Sequence, residues 1–116
     1  EPPLVVGPHG VRSLECGDGA LPLGLGDLAP GPPVPHRLPL ARDETLLMCT
    51  DGVTEARNGQ GVFYPLADAV REAVKRDPGI AEPARLVDFV RAGTLEHSGG
   101  RLTDDTTVFA VRRLPA

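Results

Sequence analysis

Two short acidic runs carry the residue types in this chain best suited to hold a hard metal ion. In the first, the apolar stretch Leu46-Leu47-Met48-Cys49 runs into Thr50-Asp51-Gly52, which places a carboxylate at the tip of a buried strand. In the second, Thr103-Asp104-Asp105-Thr106-Thr107 opens the apolar run Val108 to Val111. Mg²⁺ and Mn²⁺ prefer carboxylate oxygens and retain several waters, so one or two Asp side chains per ion suffice. Asp51 and Asp104 are therefore the candidate pair. Gly52 lets the chain turn sharply beside a ligand, and the hydroxyls of Thr50 and Thr106 can orient a carboxylate or a water. The same residues also suit a plain Asp-Gly turn and an acid at the start of a strand. Spacing alone leaves both readings open.

The elements that must position these acids follow from pattern and punctuation. Leu4 to Val6 and Val11 to Leu14 are short apolar segments on either side of Gly7-Pro8-His9-Gly10, a composition that predicts a hairpin. From Gly17 to Pro39 the chain is dense in Gly and Pro and predicts a long surface loop, a candidate partner-facing flap. Thr45 to Thr50 is apolar on both faces, which predicts a strand covered on both sides. Leu66, Ala69, Val70, Ala73 and Val74 recur at helical spacing after Pro65, until Asp77-Pro78-Gly79 stops them. Pro83 begins a second helix with Leu86, Phe89, Val90 and Gly93 on one face and Ser98-Gly99-Gly100 as its terminator. A last strand spans Thr106 to Arg113. The order strand, strand, loop, strand, helix, helix, strand is not a βαβ alternation and predicts an α+β fold, with helices on one side of a mostly antiparallel sheet.

Bulk properties exclude several classes. The chain has 116 residues, enough for one domain or a piece of one, and a formal net charge of -4 with acids and bases interspersed. No basic stripe is present, so nucleic-acid binding is not expected. No stretch approaches a membrane span and the first residues lack a signal-peptide layout, which predicts a cytoplasmic protein with no membrane partner. Basic residues are almost all Arg, with Lys75 the single Lys, a bias that hints at a bacterial source. Cys16 and Cys49 lack metal-ligand spacing and read as reduced core thiols. His9, His36 and His97 are far apart and read as solvated, and Glu55 is equally a supporting acid or a loop residue. Gly24-Leu25-Gly26-Asp27 imitates a dinucleotide fingerprint, but Pro30-Gly31-Pro32-Pro33 forbids the helix that must follow.

The run from Leu46 through Thr50-Asp51-Gly52-Val53-Thr54-Glu55-Ala56-Arg57, with Asp104-Asp105-Thr106-Thr107-Val108 downstream, resembles the SpoIIE-like branch of the metal-dependent (type 2C, PPM) serine/threonine protein phosphatases. Pro2-Pro3-Leu4-Val5-Val6 and Leu21-Pro22-Leu23-Gly24-Leu25 are similar to that family's Gly-His-Pro-Pro strand and its Leu-Gly stretch. The resemblance implies part of an α-β-β-α sandwich with mostly antiparallel sheets. It also implies a pair of Mg²⁺ or Mn²⁺ ions whose bound water attacks phosphoserine or phosphothreonine. Asp51 and Asp104 match family metal ligands, whereas the side chain of Asp105 should point the other way along the strand.

Where the chain departs from the family, further expectations arise. The family's first half supplies another Asp-Gly ligand that bridges both ions, and nothing in Glu1 to Gly26 provides it. Glu1 alone stands before Pro-Pro, and Ala41-Arg42-Asp43 replaces the usual Pro-Gly-Asp. Residues 1–116 thus look like the C-terminal portion of such a domain. The chain alone is expected to hold metal weakly, to hydrolyse little, and to self-associate through unpaired sheet edges. In the intact domain, the resemblance implies a phosphoprotein substrate, such as an anti-sigma-factor antagonist in sigma-factor regulation. A noncatalytic interaction module with a vestigial metal site is the rival reading.

Overall fold

The computed structural model describes residues 1–15, 17 and 19–115; Cys16 lies outside them. Strand β1 (Leu4–Gly7) turns through Pro8 and His9 into β2 (Gly10–Ser13), with Gly7 opposite Gly10 at the tip. This is the expected hairpin. The Pro/Gly-rich segment that follows holds one regular piece among the described residues, a 3₁₀ turn at Gly26–Leu28. Strand β3 (Thr45–Cys49) leads directly into a one-turn helix, α1 (Asp51–Thr54). Helices α2 (Leu66–Arg76) and α3 (Pro83–His97) are joined through a 3₁₀ turn at Pro78–Ala81, and β4 (Val108–Arg112) closes the chain.

The strands form one antiparallel four-stranded sheet in the order β2-β1-β3-β4. The α+β class holds. Cross-strand partners share a face, so Leu4, Val6, Leu47, Cys49, Val108 and Ala110 line one side. Against them pack Val70 and Val74 of α2 and Leu86 and Val90 of α3. Slab dimensions of 44 × 42 × 19 Å leave room for this one sheet and one layer of helices.

Each helix ends where its sequence dictates. After α3, Gly99 and Gly100 take positive φ angles of 62° and 79°. Gly99 N–H bonds to Glu96 O at 3.2 Å and Gly100 N–H to Leu95 O at 2.8 Å, satisfying carbonyls the helix leaves open. Before α3, the Asp77 side chain accepts from Gly79 N–H at 3.0 Å and pairs with Arg85. A polar staple fixes the sheet to this corner: buried Thr45 donates to Ala81 O at 2.6 Å, and Arg112 donates to Thr45 Oγ1 and Ala81 O.

One expectation fails. Strand β3 is only partly covered on its outer side, for Met48 is exposed, as are Phe109 and Val111 on β4, while Leu46 is half-buried and Val5 opposite it is buried. Continuous apolarity shows that both faces avoid charge, but not that both have cover within the chain. The sequence reading also passed over α1, whose four residues are too few to show a period.

Candidate metal site

The register of β3 on β4 brings the two acidic runs together. Cys49 lies opposite Val108, and the ladder continues one step further, with Thr50 N–H donating to Thr107 O at 3.1 Å. Counting on in antiparallel fashion sets Gly52 against Asp105, and that is where it is found. A Cβ added to Gly52 would lie 2.9 Å from the Asp105 carbonyl carbon and 3.4 Å from the Asp104 carbonyl oxygen. Only a residue without a side chain fits there. The first turn of α1 therefore abuts the main chain of Asp104 and Asp105, although Thr50 and Asp105, which bond at this junction, are 55 residues apart in sequence.

Threonines hold this junction through the backbone. Thr50 precedes α1 in extended conformation, yet its hydroxyl does not cap the helix. It accepts from Thr107 N–H at 2.9 Å and donates to Asp105 O at 3.3 Å instead. Thr106 Oγ1 donates to Asp104 O at 3.4 Å, so both hydroxyls bond to main chain rather than to carboxylates. One oxygen of Asp104 accepts from Asp105 N–H at 2.8 Å, which ties the side chain to its own turn. Asp51, Asp104 and Asp105 are all solvent-exposed.

Oxygen donors on two adjacent, exposed segments fit a hard cation that keeps most of its water. Among the described residues, no group of three or more His, Cys, Asp or Glu side chains converges on a common point. The donor set thus suits part of a site and not a complete two-ion cage.

Behind the junction the surroundings are apolar. Burial pushes the Cys49 thiol up to about 11, so it stays protonated and unreactive at neutral pH. The Tyr64 hydroxyl is also raised, first by burial and then by Cys49 and Glu96. His97 is not simply solvated: its Nε2 lies 2.8 Å from Val62 O and its ring leans on Tyr64 with centroids 5.4 Å apart. Glu55 is exposed and its N–H bonds to Asp51 O at 2.7 Å, closing α1.

Together, an antiparallel sheet with helices on one face and an Asp-Gly turn locked against a second acidic run define a layered α+β fold. Residues 1–114 match the Stage II sporulation protein E (SpoIIE) family, and the chain belongs to that family. A solved structure, the Mn-presoaked phosphatase domain of the cell fate determinant SpoIIE from Bacillus subtilis, shares the fold with a TM-score of 0.60 and 20% identity. The similarity covers 100% of this chain and 49% of that one, so the chain spans about half the length of the phosphatase domain it resembles. No curated protein matches. Among the described residues, no helix is long and apolar enough to cross a membrane.

Proposed function

We propose that this chain is the C-terminal part of a Mg²⁺- or Mn²⁺-dependent serine/threonine protein phosphatase, acting in the bacterial cytoplasm. The observation that carries the reading is the seating of Gly52 on the Asp104–Asp105 main chain, which brings Asp51 and Asp104 to one end of the sheet. Asp51 and Asp104 are the residues that would hold the metal, with Thr50, Gly52, Asp105 and Thr106 fixing the segments that carry them. A bound divalent ion supplies a water of lowered pKa and offsets charge on the phosphoryl oxygens. The chain's own contribution is geometric: the threonines immobilise two segments whose side chains would otherwise sample many positions. Family membership supports a phosphoprotein substrate, and we assign a phosphorylated regulator of the anti-sigma-factor-antagonist type.

Among the described residues no group of three or more acids, His or Cys converges, and two carboxylates alone bind metal weakly, because each missing charge removes Coulombic attraction. The isolated chain should release almost no p-nitrophenol from its phosphate ester with Mn²⁺. Turnover like that of a complete domain would reject the half-site account. Mn²⁺ titration of the chain against Asp51→Ala and Asp104→Ala checks the ligands directly. If wild type and both variants bind alike, the metal assignment fails and the noncatalytic module takes its place. The chain should also self-associate, since β2 and β4 are the edges of the sheet.

A further inference from the structure

The Pro-rich segment after the 3₁₀ turn at Gly26–Leu28 carries charge of one sign. Between Asp27 and Asp43 the charged residues are Arg37 and Arg42, in a chain whose net charge is -4. From Pro32 to Leu40 the chain has no helix, strand, turn or bend, and residues 30–39 are all exposed. Apolar side chains there are free of cover, with Val34 75% and Leu38 49% exposed. Among the described residues, the Arg37 guanidinium has no ion pair. Proline fixes φ near about -65° and pushes the residue before it to extended conformations. Pro32, Pro33, Pro35 and Pro39 therefore favour the left-handed polyproline II helix, with about three residues per turn. On that helix Pro32, Pro35 and Leu38 form one ridge, Val34 and Arg37 a second, and Pro33 and His36 the third. The downstream end is tied to the hairpin, where Arg12 of β2 donates to Pro39 O at 3.1 Å. A stiff, anchored segment loses little conformational entropy when a partner takes hold of it.

We propose that Pro32 to Arg37 is a docking peptide for a partner protein whose surface carries an aromatic-lined groove with carboxylates at one end. Pro32 and Pro35, one turn apart, match the Pro-x-x-Pro spacing that such grooves receive. Val34 packs beside them, and Arg37, one turn beyond Val34, reaches the carboxylates. A polyproline II helix looks much the same in either direction, so the single cation at one end fixes which way the peptide lies. The segment holds no acid, which selects an acidic groove over a basic one. Neither Asp51 nor Asp104 enters this inference, and it does not depend on the phosphatase reading.

The probe is an SH3 domain with acids beside its aromatic groove, titrated into the ¹⁵N-labelled 116-residue chain. Saturable shifts centred on the Val34, His36, Arg37 and Leu38 amides are expected, with binding that weakens as salt is added. Arg37→Glu sets like charge against the groove and should weaken binding at least about tenfold. The same probe with its groove carboxylates changed to amides should lose at least about tenfold as well. Pro35→Ala removes one contact and one fixed φ and should weaken binding about fivefold. His36→Ala, on the third ridge, should stay within about twofold of the parent. These positions are exposed, so each variant should keep the circular dichroism of the parent. Shifts that never saturate, shifts centred outside residues 31–39, or undiminished affinity in Arg37→Glu or with the amide probe would each overturn the proposal. Equal losses in His36→Ala and Pro35→Ala would also overturn it, because the ridges would then play no part.

Discussion

Leu47 and Met48 are neighbours on β3, and strand alternation sends them to opposite faces of the sheet. Leu47 is 1% exposed under α2 and α3, whereas Met48 is 39% exposed beside Phe109 at 51% and Val111 at 41%. Both faces are apolar in sequence, yet the helix layer packs on one of them, and the other is open at Met48, Phe109 and Val111 although Val5 on it is buried. The difference teaches that hydrophobicity along a strand reports what the surface avoids, while cover depends on which other elements the chain supplies.

The sharpest way to test this contrast is to shorten each neighbour in turn. Leu47→Ala empties part of the core and should cost about 3 kcal/mol of unfolding free energy. Met48→Ala should cost less than about 0.5 kcal/mol, because its side chain has little packing to lose. Urea unfolding of both variants measures the gap, and equal losses would show that the outer face is covered in solution.

Next in size is the junction at the end of the same strand. Gly52→Ala forces a methyl group into the main chain of Asp105, and the overlap is with backbone, which has little freedom to yield. A loss of about 2 kcal/mol is expected, within the usual range for overpacking. Amide shifts should be largest at Thr50 and at residues 104–107. A variant as stable as its parent would show that the two acidic runs are not held in contact.

Much of this arrangement was legible in the sequence, for identifiable reasons. The hairpin at Gly7–Gly10, the helix after Pro65 and the stop at Gly99 depend on local chemistry, and each appears where its residues require. The seating of Gly52 on the Asp104–Asp105 main chain needed more than local chemistry, since it arises from the β3–β4 register. Nothing local marked the cross-strand use of the Thr50 hydroxyl, because a Thr before a helix normally caps it. The hydroxyl of Thr54, buried without a partner among the described residues, was equally invisible, since burial of a single oxygen depends on tertiary packing. His97 was misread because its partner, Val62 O, lies 35 residues away.

A smaller effect separates the open face from the edge strand that borders it. Phe109→Lys places a charge on β4, both on the outer apolar face and at a sheet edge, where charge discourages pairing. The parent chain should show a concentration-dependent light-scattering mass, and the variant should remain monomeric several-fold higher in concentration. A strictly monomeric parent would count against self-association altogether.

The smallest effect belongs to the surface of the helix layer, where charge rather than packing is at work. Asp77 is held below the ordinary carboxylate range, chiefly by its hydrogen bond from Arg85 and then by Gly79 N–H. A carboxylate whose folded pKa is depressed contributes stability that is fully present above its unfolded value, about 3.9. That contribution is lost as pH falls from there through the lower folded value. Because the pair is solvent-exposed, the contribution should be slight and should weaken further with salt. Asp77→Asn should therefore lower the melting temperature a little at neutral pH and converge on the parent as pH falls through the lowered folded value. Thermal melts across that window at low and high salt measure it, and a gap between parent and variant that widens on acidification would refute the assignment.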